Sequence, residues 1–93
     1  MQKNKRAASR VQFEQGLEVT VFAIDGTWSV KGRLSDISKT GAKFRALTEV
    51  NKRIQSEEFF LALTPDKKVH RRAKFVWERK GHIGLKFIAR SEL

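Results

Sequence analysis

From Leu17 onward apolar and polar side chains alternate, with Leu17, Val19, Val21 and Ala23 in one set and Glu18, Thr20, Phe22 and Ile24 in the other. A period of two in a stretch rich in β-branched and aromatic residues predicts a strand with one face toward a core. Asp25-Gly26 then supplies a residue pair that tolerates the positive φ angles of a type I′ hairpin, so Ile24 is expected opposite Thr27. The returning strand is predicted from Thr27 to Ser38, with Trp28, Val30 and Leu34 inside and Ser29, Lys31, Arg33 and Ser35 outside. Gly32 in its middle predicts a bend or bulge.

A third strand is predicted over Gly41 to Leu47 with Ala42 and Phe44 inward, followed by a loop with a helical turn over Thr48 to Ser56. Glu57 to Thr64 predicts a fourth strand, Pro65-Asp66-Lys67-Lys68 a turn, and Val69 to Arg79 a fifth strand with Ala73, Phe75 and Trp77 on one face. Lys80-Gly81 turns the chain into a sixth strand, Ile83 to Phe87, and Ile88 to Leu93 is expected to form a short helical end. No internal repeat and no helical period of ten residues interrupts this series, so the predicted fold is all-β, an antiparallel barrel or strongly curled sheet. Residues 1–10 have no hydrophobic period and read as a flexible basic arm, leaving 11–93 for the barrel of a single domain.

Composition sharpens this picture in three ways. A chain of 93 residues, 40% hydrophobic with seven Phe and two Trp, holds one modest core that needs no metal or disulfide. It has no cysteine, which excludes disulfides and thiolate-bound zinc and fits a reducing compartment. The basic N-terminus is followed by no apolar segment, and the longest apolar run, Phe59 to Leu63, is too short to span a bilayer; a cytoplasmic protein without membrane insertion is expected. Twenty Lys and Arg against ten Asp and Glu give a net charge of +10, a field that concentrates anions. Charge alone does not distinguish a solubility device from a phosphate-bearing partner.

Two short motifs bear on that choice. Arg6-Ala7-Ala8-Ser9-Arg10 is an R-x-x-x-R at the end of the basic arm, and Asp36-Ile37-Ser38-Lys39-Thr40-Gly41 is a D-x-S-x-x-G where the second strand gives way to the third. The hairpin register at Asp25-Gly26, continued along the ladder, sets Asp36 opposite about Gln15. Arg10 is then about five residues away, at most ~18 Å of extended chain, so the arm can fold back over Asp36 and Ser38. Residues two apart on a strand share a face, which projects Asp36 and Ser38 together while Ile37 packs on the other side. A carboxylate accepts from the paired N–H donors on guanine's Watson–Crick edge, and a hydroxyl adds a donor or acceptor beside it. Gly41 lets the backbone turn and a ligand approach, while guanidinium groups grip phosphates bidentately and stack on purines.

Together these residues resemble the PilZ family, which pairs R-x-x-x-R with [D/N]-x-S-x-x-G on a six-stranded antiparallel β-barrel that binds cyclic di-GMP. The resemblance extends to the closing Gly81-His82-Ile83-Gly84-Leu85-Lys86-Phe87 and so covers essentially the whole chain. It implies that Arg6 and Arg10 grip phosphates and stack on guanine, that Asp36 and Ser38 hydrogen-bond the base, and that Gly41 shapes the turn. Family members often carry a further arginine where Lys5 stands, and many carry a glycine where Thr40 stands, which leaves the ligand stoichiometry open. The implied role is a receptor that orders its arm on the ligand and signals to a downstream protein.

Other chemistry is disfavoured. His70 and His82 lack a third metal ligand at suitable spacing, Glu57 and Glu58 are adjacent and so face opposite ways on a strand, and no histidine base stands between Asp36 and Ser38. No catalytic residue, metal or cofactor is therefore expected, and the chain is not read as an enzyme. Trp28, Phe44, Phe59, Phe75 and Trp77 alternate as core residues do, and Lys67, Lys68, Arg71, Arg72 and Lys74 read as a solvated basic face. Two alternatives remain: a small basic barrel binding single-stranded nucleic acid, disfavoured for want of an exposed aromatic track, and an adaptor that contacts a protein and ignores the nucleotide.

Overall fold

The computed structural model describes residues 11–88, which form six antiparallel strands in a closed barrel. These are β1 (Val11–Ala23), β2 (Ser29–Ile37), β3 (Gly41–Ala46), β4 (Phe59–Ala62), β5 (His70–Arg79) and β6 (His82–Phe87). Around the barrel the order is β1-β2-β3-β6-β5-β4, and pairing of β4 with β1 closes it. Closure removes the free edges that an open sheet of six short strands would expose. A single 3-10 turn, Lys52–Gln55, is the helical element among the described residues; Asn51 caps it by accepting from Arg53 N at 2.9 Å. The short helical end expected over 88–93 finds no helix at Ile88, and its remainder lies outside the described residues.

The alternation read from the sequence fills the barrel. Val19, Val21, Val30, Leu34, Phe44, Phe59, Leu61 and Ile83 are each at most 3% exposed, and Ile54 of the 3-10 turn packs with them. Trp28 closes one end edge-on to Phe59 at 6.0 Å and donates from Nε1 to Glu57 at 3.2 Å. Truncating a fully enclosed ring such as Phe44 to alanine costs about 3–5 kcal/mol, a large part of a small domain's stability.

Turn chemistry departs from expectation at one hairpin and is conventional at the other. Between β1 and β2 only Gly26 has positive φ (77°), and a four-residue loop forms: Ala23 N donates to Trp28 O, Gly26 N to Ala23 O, and Asp25 accepts from Thr27 N and Oγ1. The carboxylate of Asp25 thus replaces the expected type I′ geometry with a side-chain-stabilised turn. The register survives, because the longer loop is symmetric about the same point: Leu17 pairs with Leu34 and Phe22 with Ser29. Lys80 and Gly81 both have positive φ (52° and 84°), the requirement of a type I′ turn, and fix Arg79 opposite His82.

The bulges lie elsewhere than at Gly32. That residue keeps its pairs on both sides, and its lack of a side chain makes room for the Phe44 ring. Register shifts occur instead in β1 between Gln12 and Leu17, in β2 between Leu34 and Asp36, and in β5 between Phe75 and Trp77. Each changes which residues of neighbouring strands stand opposite one another.

Candidate functional site

The bulge in β2 decides where Asp36 points. Strict alternation from Trp28, Val30 and Leu34 would turn Asp36 into the core. Leu34 pairs with inward Phe44, but after one extra residue, Ser35, Asp36 pairs with outward Lys43 and Ile37 with inward Ala42. Ser35 Oγ donates to Lys43 O at 3.0 Å and so holds the bulge in place. The result is a carboxylate on the outer wall with Ile37 packed against the core behind it. Asp36 is nevertheless only 6% exposed, and Lys43 Nζ stands 3.8 Å from its Oδ2.

The bulge in β1 brings the N-terminal segment closer to this carboxylate than the hairpin register predicted. Gly16, at φ 81°, sits within a shift of three residues, so Gln12 instead of Gln15 faces Asp36, and Val11 pairs with Ile37. Val11 is the residue that follows Arg10 in the chain. Lys5, Arg6 and Arg10 themselves lie outside the described residues.

Ser38 and Gly41 occupy the turn that leads into β3. Ser38 N donates to Gly41 O at 2.8 Å, and its Oγ accepts from Thr40 N at 3.2 Å and lies 3.3 Å from Thr40 Oγ1. The half-buried hydroxyl therefore shapes this turn. Gly41 is buried, and a Cβ there would collide with the carbonyl oxygen of Leu85, so close approach of β3 to β6 requires glycine at this position. Gly41 also lines a hollow with Asp36, Thr40, Lys43, Val76 and Trp77, of about 450 Å³.

Trp77 is the residue that alternation misassigned. Ala73 is buried and Phe75 packs against the core, but the bulge at Val76 turns Trp77 outward, where it is 41% exposed. Its indole lies against the backbone of Gly84, where any Cβ would collide with it. A signal was present in the sequence: counting back from Lys80-Gly81 sets Trp77 opposite Gly84, and a large aromatic facing a glycine marks a flat seat. Lys43 was likewise missed: alternation with Ala42 and Phe44 sets its side, but its pairing with Asp36 depends on the β2 bulge.

These residues form one cross-strand row. Gln12 pairs with Asp36, Asp36 with Lys43, Lys43 with Gly84, and Gly84 with Trp77, across β1, β2, β3, β6 and β5. At ~4.8 Å per strand, Asp36 and the indole are ~14 Å apart at the backbone. Carboxylate, ammonium and aromatic plane on one curved wall suit an aromatic, nitrogen-rich anion: the acid accepts from ring N–H groups, the ammonium meets phosphate, and the indole offers a stacking face. Among the described residues no cluster of His, Asp and Glu is arranged to hold a metal ion, and no helix is long and apolar enough to cross a membrane. His70 and His82 are both exposed.

Comparison with known proteins bears on this wall. The chain matches the model of the PilZ domain over residues 4–92. Among solved structures it is similar to the PilZ domain of CeSA from a cellulose-synthesizing bacterium, with a TM-score of 0.70 and 18% identity, over 89% of this chain and 83% of that one. At that identity the likeness is one of fold. No curated protein matches the chain significantly.

Proposed function

Because the chain belongs to the PilZ domain family, we propose that it is a receptor for cyclic di-GMP that holds the ligand between its basic N-terminal arm and the outer wall of the barrel, without catalysis. One observation carries this reading: the residue after Arg10 is paired with Ile37, inside the motif whose Asp36 faces the hollow beside Lys43 and Trp77. The β1–β2 ladder thus starts one residue after the R-x-x-x-R motif and reaches into the D-x-S-x-x-G motif.

In this mechanism Asp36 accepts from a guanine's Watson–Crick edge and Ser38 holds the turn that presents it. Arg6 and Arg10 close over the phosphates, Lys5 adds charge, Lys43 moves from Asp36 toward the ligand, and Trp77 supplies a stacking face. Micromolar affinity corresponds to about 8 kcal/mol, and charge-assisted hydrogen bonds contribute about 1.5–3 kcal/mol each, so a few contacts suffice after the ordering of residues 1–10 is subtracted. An arm ordered on the ligand presents a surface to a downstream protein that the free receptor lacks.

Calorimetry on purified protein tests this. Saturable binding of cyclic di-GMP, little heat with GTP, and at least a tenfold loss of affinity in Arg10→Ala are expected. Binding of single-stranded DNA in a steeply salt-dependent manner, unaffected by cyclic di-GMP, would overturn it in favour of a nucleic-acid module.

A further inference from the structure

A second hollow, of about 510 Å³, adjoins the first and shares Lys43 and Trp77 with it; its other walls are Glu78, Arg79 and His82. Behind it runs a second cross-strand row, Arg33 opposite Arg45, Arg45 opposite His82, and His82 opposite Arg79, spanning β2, β3, β6 and β5. Both rows lie on the outer side of the barrel. Among the described residues none of these four side chains makes an ion pair. Like charges directly opposite in a ladder repel, so the Arg33–Arg45 pair costs the sheet stability and leaves donors facing solvent.

Resting on the reading above, we propose that this second hollow reads a second guanine, with Arg79 as the residue that sets base specificity, Arg45 as the cation next along the row and His82 as part of the wall. The two hollows share Lys43 and Trp77 and differ in the groups that would meet a base, Asp36 in the first and Arg79 beside Glu78 in the second. Asp36 accepts, and so matches the N1–H and N2–H donors of a guanine. Arg79 donates through a planar fork, and so matches the N7 and O6 acceptors on the opposite edge of another. Adenine places an N6 donor beside N7 and offers that fork a poorer match. The indole between the two hollows stacks a base of either kind. Arg79 is held by the type I′ turn at Lys80-Gly81, so the reader stands on a rigid hairpin end. The second base belongs either to the same dinucleotide or to a second molecule stacked on it; both present the same edge.

Calorimetric titration of the full chain with cyclic di-GMP, the hybrid cyclic GMP–AMP and cyclic di-AMP tests the assignment, on wild type, Arg79→Ala and Arg79→Lys. Wild type is expected to prefer cyclic di-GMP over the hybrid by about tenfold. Arg79→Ala should bring the two within about twofold, and Arg79→Lys should do the same because it keeps the charge and loses the fork. A wild-type stoichiometry of one assigns the second base to the same molecule, and a stoichiometry of two assigns it to a stacked partner. Equal affinity of wild type for the two ligands, or an unchanged preference in Arg79→Ala, overturns this proposal while leaving cyclic di-GMP binding intact. No binding of any of the three removes the receptor reading and this one with it.

Discussion

Arginine serves two different ends on this barrel. At the β1–β2 loop, Arg53 spends its donors on the protein: Nε to Glu57 at 2.6 Å, one terminal nitrogen to Thr27 Oγ1 at 2.9 Å and the other to Asp25 at 3.2 Å. Glu57 in turn accepts from Trp28, so this cluster ties the 3-10 turn, the hairpin and the end of the core together. On the β2–β3–β6–β5 wall, Arg33, Arg45 and Arg79 stand near one another with no ion pair among the described residues, and Lys43 reaches Asp36 only at 3.8 Å. A guanidinium whose fork is filled by protein acceptors builds the fold. One held beside a hollow with its donors outward has capacity left for a ligand.

That contrast is broken most sharply at Asp36. Asp36→Ala is expected to lower affinity for cyclic di-GMP at least tenfold by calorimetry, beyond whatever fall in melting temperature follows from replacing a carboxylate that is only 6% exposed. A large fall in melting temperature with affinity preserved would make Asp36 a fold residue and void the division. Trp77→Ala follows, with about a fivefold to tenfold loss from the missing stacking face, at the low end of ~1–3 kcal/mol per stacked base. Arg53→Ala should do the opposite: the melting temperature falls by a few degrees and affinity stays within about twofold. If affinity falls with it, the corner and the wall are not separable.

Much of this architecture is legible in the chain because one face of each strand is buried. The buried sets on β1 to β3 follow the alternation except at Leu17, which is 40% exposed, and β3 to β6 begin and end within two residues of their predicted bounds. What alternation cannot show is an inserted residue. The bulge at Ser35 keeps Asp36 out of the core, and the bulge at Val76 takes Trp77 out of it; a strict period of two misplaces both. The bulge before Leu17 similarly moved the partner of Asp36 from Gln15 to Gln12. In the candidate wall the motif pointed to Asp36, while the places of Lys43 and Trp77 beside it needed the three-dimensional register.

Acid titration gives the finest test of the structural corner. Hydrogen bonds from Thr27, with the Arg53 charge beside them, hold Asp25 below its ordinary value; hydrogen bonds from Arg53 and then Trp28 do so for Glu57; those from Lys68 N and Thr64 do so for Asp66. A carboxyl group with a lowered folded value stabilises the native state fully above its unfolded value and loses that contribution as pH falls toward the folded one. The contribution of these three groups to the melting temperature should therefore be complete above about pH 5 and decline below about pH 4. All three groups face solvent, so the decline is shallow and weakens further with salt. Arg53→Ala removes the main cause of the Glu57 shift and a minor cause of the Asp25 shift, and leaves the Asp66 turn untouched. Its acid decline should accordingly be smaller than that of wild type without vanishing. Thermal melts followed by circular dichroism from pH 3 to 7 read this directly, and identical slopes in the two proteins would show that the arginine corner contributes nothing to acid stability.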